Sequence, residues 1–306
     1  MKKRLLGLSL ALLGVVVLVS PAPALRIAFF PPAQRAIHAE VIVIGKVVGI
    51  EKEPVDLPPA PGAPEKVSHK IALVKIQENL SGAENLTHLK IAFVPPAAPP
   101  PPSDVDVPVR PVRPVRPPIR PGLQLPELRE GDEFLFFLVK HPGGPYYMMP
   151  GMYPPIAAKG ANKEIEQVKK ITAILANPLA GLKSDKAEVR AQAAAVLVMK
   201  FRSAPMFAQQ VDQVPIDAEM SRLILQALAE ADWSQQPNAD EFPFQVAQAF
   251  YALGLTPQDG WTPPKFTPPQ PGQPPVDYNK LVHKSFVEWL KGPGKEYRIK
   301  KFVAKS

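Results

Sequence analysis

Cysteine is absent from this chain of 306 residues, and histidine occurs only five times. Without cysteine the protein forms no disulfides, and it has no thiolate metal ligands, thiol nucleophiles or cysteine-linked lipid anchor. The sequence also lacks a G-x-S-x-G elbow, an S-x-x-K motif, an H-E-x-x-H motif and a glycine-rich phosphate loop. We therefore predict that the protein is not an enzyme and that it has no cofactor.

No metal site is predicted either, because the five histidines are scattered. None stands four residues from another, as a pair of zinc ligands on a helix would. His69 and His88 fall on two predicted neighbouring strands, so they could meet in space. A zinc site there would still need a third ligand, and none can be named.

The N-terminus has the three parts of a secretory signal peptide. Lys2, Lys3 and Arg4 precede an uncharged apolar run at residues 5–19, and Ala22-Pro23-Ala24 follows as a cleavage site. Residues 1–24 are therefore predicted to be a signal peptide, with residues 25–37 as a lead-in. The exported chain would be periplasmic or extracellular, with no membrane span after cleavage. The alternative is an uncleaved anchor helix.

Export also changes the charge of the protein. Removal of the three basic residues at positions 2–4 would lower the formal net charge from +8 to +5. Four of the remaining positive charges lie in one proline-rich tract, so the rest of the chain is nearly balanced. This balance argues against nucleic acid as a partner.

Proline is the residue in excess, with 41 copies. The richest stretches are residues 54–64, 95–126 and 263–275. Within the second, residues 109–121 read VRPVRPVRPPIRP and predict a polyproline II arm. Three residues per turn would align Arg110, Arg113 and Arg116 along one edge, with Arg120 just beside it. Such an arm could bind a protein or an acidic polymer of the cell envelope; alternatively it is only a hydrated loop extension.

Residues 38–158 carry strand patterns. Five strands are predicted, near residues 38–50, 67–80, 86–94, 132–140 and 146–149, interrupted by the first two proline-rich stretches. The run of apolar residues at 134–139 is typical of a central, fully buried strand. Gly131, in the turn before it, is expected to have a positive φ. These features predict a five-stranded OB-like β-barrel.

Three segments add a family resemblance. Residues 39–47 (AEVIVIGKV), 74–82 (VKIQENLSG) and 130–138 (EGDEFLFFL) resemble a recurring pattern of exported bacterial proteins. That pattern is similar to the OB-like barrel of the netrin-like and tissue-inhibitor-of-metalloproteinase families. The resemblance implies the fold only, because those inhibitors chelate a metal through an N-terminal cysteine that this chain lacks.

The spacing of apolar residues becomes helical after residue 159. We predict a separate all-α domain at residues 159–306, with helices near 162–177, 186–202, 217–232, 243–254 and 278–291. Asp185 and Glu188 resemble a capping box before the second helix. Residues 182–197 (LKSDKAEVRAQAAAVL) resemble one HEAT-type repeat. The predicted fold class is therefore α+β, an OB-like barrel followed by a HEAT-like helical domain.

A cluster of tyrosines and methionines follows the fourth strand. Tyr146 and Tyr147 could belong to an adaptable binding surface, or they could simply complete a hairpin. Together these features predict an exported, non-catalytic binding or scaffolding protein of the cell envelope. The alternatives are a metal-dependent hydrolase with an unrecognised site and a purely structural envelope component.

Overall fold

The computed structural model describes residues 30–59, 63–95, 127–150, 153–234, 242–265 and 276–305. The predicted signal peptide, most of the long proline-rich insertion and part of the 263–275 connector lie outside the described residues. The described strands are β1 (Val41–Ile50), β2 (Val55–Leu57), β3 (Val67–Ser81), β4 (His88–Phe93), β5 (Glu133–Lys140), β6 (Tyr147–Met148), β7 (Ile156–Ala157), β8 (Val211–Pro215) and β9 (Lys300–Ala304). The described α-helices are α1 (Pro32–His38), α2 (Asn162–Ala176), α3 (Pro178–Leu182), α4 (Ala187–Phe201), α5 (Ala218–Glu230), α6 (Val246–Leu253) and α7 (Tyr278–Lys291).

The first seven strands form one sheet around β1 and β5. Strand β1 pairs antiparallel with both β3 and β5, and β3 pairs with β4 and with β2. The two-residue strand β6 is parallel to β4 and antiparallel to β5, while β7 is antiparallel to β5. The long apolar runs thus become the central strands of a mixed sheet.

Strands β1 and β5 are buried on both faces. Val43 and Phe136 point to one side, into a core made only of sheet residues and their loops. Ile42 and Phe137 point to the other side, into a second core that contains the helices. Side chains alternate between the faces of a strand, so a continuous apolar run is what two covered faces require.

The prediction of an OB-like barrel followed by a separate all-α domain is wrong. The sheet has seven strands rather than five, because β2 and β7 are too short to leave a periodic pattern in the sequence. Helix α1 precedes the sheet, in the segment expected to be a plain lead-in. The second half also contains the two-stranded sheet β8–β9. Strand β8 is exposed, β9 is partly buried, and the two strands lie far apart in the chain.

The two halves are not separate, because they share the helical core. Ile37 of α1 and Phe137 of β5 belong to the same buried cluster as Val168 of α2 and Leu197 of α4. At the surface, Lys169 of α2 pairs with Glu78 of β3, with Nζ and Oε1 3.0 Å apart. The periodicity of a sequence shows which face is apolar, but not which element covers that face.

Several local predictions are confirmed. Helix α7 has the predicted bounds, and Gly254 ends α6 in the left-handed conformation. Gly131 has φ of +95°. The capping box is wrong, because the N-cap of α4 is Lys186 and no side chain caps it. Among the described residues, no helix has the length and apolar character needed to cross a bilayer.

Candidate functional site

An open groove of about 750 Å³ lies between α5 and α7. Its floor is apolar and is formed by Leu225 and Ala229 of α5, Val287 and Leu290 of α7, and Tyr297 beyond α7. Leu225 is buried, whereas the other four are only half-buried. The groove therefore presents apolar surface that the described residues cover incompletely.

The two helices that form the groove are capped in the same way. The side chain of Asp217 accepts a hydrogen bond from the backbone N–H of Met220 at the start of α5. The side chain of Asp277 accepts one from the backbone N–H of Lys280 at the start of α7. Each cap satisfies an N–H group that has no partner within the helix, so the start of each groove wall is well defined.

The end of α7 is held by a close contact with glycine. A Cβ atom on Gly294 would lie 2.5 Å from the ring of Trp289, so only glycine fits there. The indole N–H of Trp289 donates to the carbonyl oxygen of Asp259, 3.0 Å away. These contacts turn the chain back after α7 and place Lys295 and Arg298 beside the groove.

The charged residues that line the groove form its rim: Glu219, Arg222, Glu230, Lys291, Lys295, Glu296 and Arg298. Two carboxylates of this rim are paired with cations that lie outside it. Glu219 is 2.8 Å from Nζ of Lys183. Glu230 is 2.7 Å from a guanidinium nitrogen of Arg190, and this hydrogen bond, with that from Gln226, lowers the pKa of Glu230. The charge of each carboxylate is thus compensated by a neighbouring cation.

The cations of the rim are less well compensated. The structure shows no hydrogen bond or ion pair between the side chain of Arg222 or Lys295 and any other described residue. Arg298 donates to the carbonyl oxygen of Ile216, a neutral acceptor. Lys291 is paired with Glu288, with Nζ and Oε1 3.1 Å apart. After the ion pairs are taken into account, the rim is cationic, with Glu296 as its one carboxylate unpaired within the part of the chain that is described.

Tyr297 contributes an aromatic ring to the groove floor. Its ring packs edge-to-face on Trp289, with ring centroids 5.3 Å apart. Burial raises the pKa of Tyr297 to about 12, nearby Asp259 adds to this effect, and Arg202 opposes it. The phenol is therefore neutral at physiological pH, and it contributes no negative charge to the groove.

The residues predicted from the sequence as binding residues do not lie in this groove. Arg110, Arg113, Arg116 and Arg120 are outside the described residues, so their role stays a prediction. Tyr146 packs against the small cluster of Leu57, Ile71 and Ala92. Tyr147 packs against the core inside the sheet, so the two tyrosines contact different clusters. A binding role for them also stays a prediction.

The histidines pair differently from the expectation. His88 pairs with Lys75 in the sheet, six residues along β3 from His69, which corresponds to about 20 Å. His69 instead lies beside His141, with ring centroids 5.5 Å apart. The described ranges contain no group of three or more histidine, aspartate or glutamate residues that could hold a metal.

The groove was missed because it depends on residues far apart in the chain. One signal was present: α7 buries Val282, Phe286 and Trp289 in the core and still has Val287 and Leu290 beside that stripe. An apolar face wider than one neighbour can cover indicates a second contact surface. Comparison with protein-family models, curated proteins and solved structures finds no match for this chain.

Proposed function

We propose that the protein is a non-catalytic binding protein whose α5–α7 groove holds an acidic, amphipathic segment of a partner protein. The observation that carries the proposal is the combination of an apolar floor with a cationic rim. An amphipathic helix binds such a groove by laying its apolar face on the floor. Acidic residues on the flanks of that helix would lie near Arg222 and Lys295.

The dimensions of the groove fit a short helix. Helix α5 has 13 residues, which corresponds to about 20 Å of groove wall. A partner segment of about four turns would cover that length. Because the cations are exposed, their attraction should weaken with salt, and they should affect the rate of association most strongly.

Export is part of the same proposal. The basic residues 2–4, the apolar run at 5–19 and the small residues at 22–24 support a location outside the cytoplasm. They lie outside the described residues, as does the arginine–proline tract. Both the N-terminal segment and the arginine–proline tract are compatible with a partner in the cell envelope, either a protein or an acidic polymer. The metal-dependent hydrolase gains no support from the described histidines and carboxylates.

A peptide titration tests the groove. The probe is a fluorescein-labelled helical peptide of about four turns, with leucine at helical i, i+3 and i+4 positions and glutamate elsewhere. Fluorescence anisotropy should show saturable binding that weakens as salt is raised. The double variant Arg222→Glu/Lys295→Glu should lower the affinity about tenfold or more, because attraction becomes repulsion.

Two controls make the result specific. The first is the same peptide with lysine in place of glutamate, which should bind weakly. The second is Lys163→Glu/Lys170→Glu, two exposed lysines of α2 remote from the groove, which should change the affinity less than about twofold. Equal binding of both peptides, or an equal loss in both double variants, would show that the groove is not the site.

A further inference from the structure

A second cavity, of about 590 Å³, lies where the sheet meets the helices. It is bounded by the end of α1 with residues 39–40, the ends of β3, α2 and α4, residues 203–206, and β9. Cavities of this size at the junction of two structural units are common sites for small ligands. It is separate from the α5–α7 groove, since no residue lines both.

The main charged group of this cavity is Lys200, near the end of α4. The side chain is half-buried, and Nζ donates to the carbonyl oxygen of Ile37, 2.5 Å away. An ammonium group has three N–H donors, so this bond uses one of them. The carbonyl is neutral, and no described carboxylate lies within ion-pair distance of Nζ.

The other titratable groups around Lys200 do not neutralise it. Burial lowers the pKa of Lys200, and the negative charge of Glu40 opposes this shift from a distance. One oxygen of Glu40 accepts the backbone N–H of Lys140, 3.1 Å away, and Glu40 makes no ion pair with Lys200. Burial lowers the pKa of His38, and the charge of Lys200 lowers it further, so this imidazole is neutral at neutral pH. Lys301 adds a second, exposed cation. The cavity is therefore electropositive around a half-buried cation.

Much of the remaining wall is apolar, although Ser81 and Ser203 also line it. Ile37, Leu175, Phe201 and Met206 line the cavity beside the lysine. Methionine and other flexible apolar side chains adapt to chains of variable shape. A cationic group beside apolar wall residues matches a molecule with an anionic head and a hydrocarbon tail.

We propose that this cavity binds a small aliphatic carboxylate, with the carboxylate on the ammonium of Lys200 and the alkyl chain against the apolar walls. A carboxylate oxygen would take a donor of Lys200 that the carbonyl of Ile37 leaves free. Charge-assisted hydrogen bonds of this kind are about twice as strong as neutral ones. The ligand would bridge α4 of the helical half and α1 beside the sheet.

The test uses octanoate as the probe and isothermal titration calorimetry of the whole chain. Octanoate should bind saturably, while octan-1-ol, which has the same tail without the charge, should bind about tenfold more weakly or worse. This comparison uses only the wild-type protein, so it decides the matter even where a variant does not fold. Equal affinity for the acid and the alcohol would overturn the proposal.

Lysine variants locate the binding site. Lys200→Met keeps the length and apolar character of the side chain and should lower octanoate affinity about tenfold or more. Lys301→Met should have a smaller effect, because that cation is exposed. Lys170→Met, an exposed lysine elsewhere, should have none. Unchanged octanoate affinity in a folded Lys200→Met protein would equally overturn the proposal.

Discussion

Strands β5 and β3 lie in one sheet, but they are buried differently. In β5, residues 135–139 are all buried, because the sheet core covers one face and the helices cover the other. In β3, Lys70 and Lys75 are exposed although each follows a buried residue, and residues 77–79 are exposed as well. The helical half therefore covers the β1–β5 side of the sheet and leaves much of β3 in solvent.

This difference shows what joins the two halves. The two halves are joined by apolar side chains, such as Ile42 and Phe137, on the face of β1 and β5 that packs against the helices. Helix α1 extends this contact. Burial of an apolar side chain contributes about 1.5–3 kcal/mol, whereas a surface ion pair contributes about 0–1 kcal/mol. We therefore expect the sheet and the helices to unfold as one unit, and the strength of that coupling can be measured.

The largest effect is expected from Phe137→Ala. This residue is fully buried in the core shared with the helices, and its loss should lower the free energy of unfolding by about 3–5 kcal/mol. The three tryptophans, Trp233, Trp261 and Trp289, all belong to the helical half. Denaturant unfolding followed by tryptophan fluorescence should therefore report the loss, although the substitution is in the sheet.

The matched control is Lys75→Ala on the exposed side of β3. It should change the free energy of unfolding by no more than about 0.5 kcal/mol. If Phe137→Ala shifted the sheet signal in circular dichroism and left the tryptophan transition in place, the two halves would be independent units.

The next effect compares two glycines with positive φ. Gly82, just after β3, has φ of +76°, and a Cβ atom there would collide with the backbone carbonyl of Glu40 before β1. Gly131, just before β5, has φ of +95° and open space where a Cβ atom would go. Gly82→Ala should lower the free energy of unfolding by about 2–4 kcal/mol. Gly131→Ala should lower it by only about 1 kcal/mol, because there the new alanine adds backbone strain but no collision.

Thermal denaturation of both variants checks this difference. Equal losses would mean that the loop at Gly82 relaxes away from Glu40. That outcome would contradict a tight contact between residue 40, which links α1 to β1, and the loop after β3.

The smallest effect concerns a surface ion pair within the helical half. Glu230→Gln removes the charge that pairs with Arg190 and should cost at most about 1 kcal/mol at pH 7. Because pairing lowers the pKa of Glu230, this stabilisation is present above the ordinary carboxyl pKa of about 4 and is lost as the pH falls below it. Denaturant unfolding of both proteins at pH 7 and pH 3 should show the difference shrinking at pH 3. A difference that grows on acidification would contradict the assigned pairing.

Long, strongly patterned elements were predictable. Strands β1, β3 and β5 and helix α7 follow directly from runs of β-branched or apolar residues and from a helical stripe that ends at Gly292-Pro293. Short or exposed elements were not, because β2, β7 and β8 bury too little apolar surface to impose a period. The expectation of an all-α second half failed because β8 is exposed and pairs with β9, about 90 residues further along the chain. No local pattern indicates such a pairing.

The candidate sites were beyond prediction for a different physical reason. Arg222 and Lys295 are far apart in sequence, as are Ile37 and Lys200, and no local pattern brings them together. The strongest local pattern, the arginine–proline tract, can be recognised in the sequence because its residues are contiguous.

By itself, the sequence determined which faces of its elements are apolar, the absence of cysteine chemistry and the surplus of proline. These properties belong to single residues and to short spacings. Tertiary packing decided which apolar faces of the helices and strands pack against each other. It also decided which cations have a carboxylate partner and where apolar surface remains uncovered. Charge compensation and burial depend on distances in space between residues remote in the chain, so only the folded structure could set them.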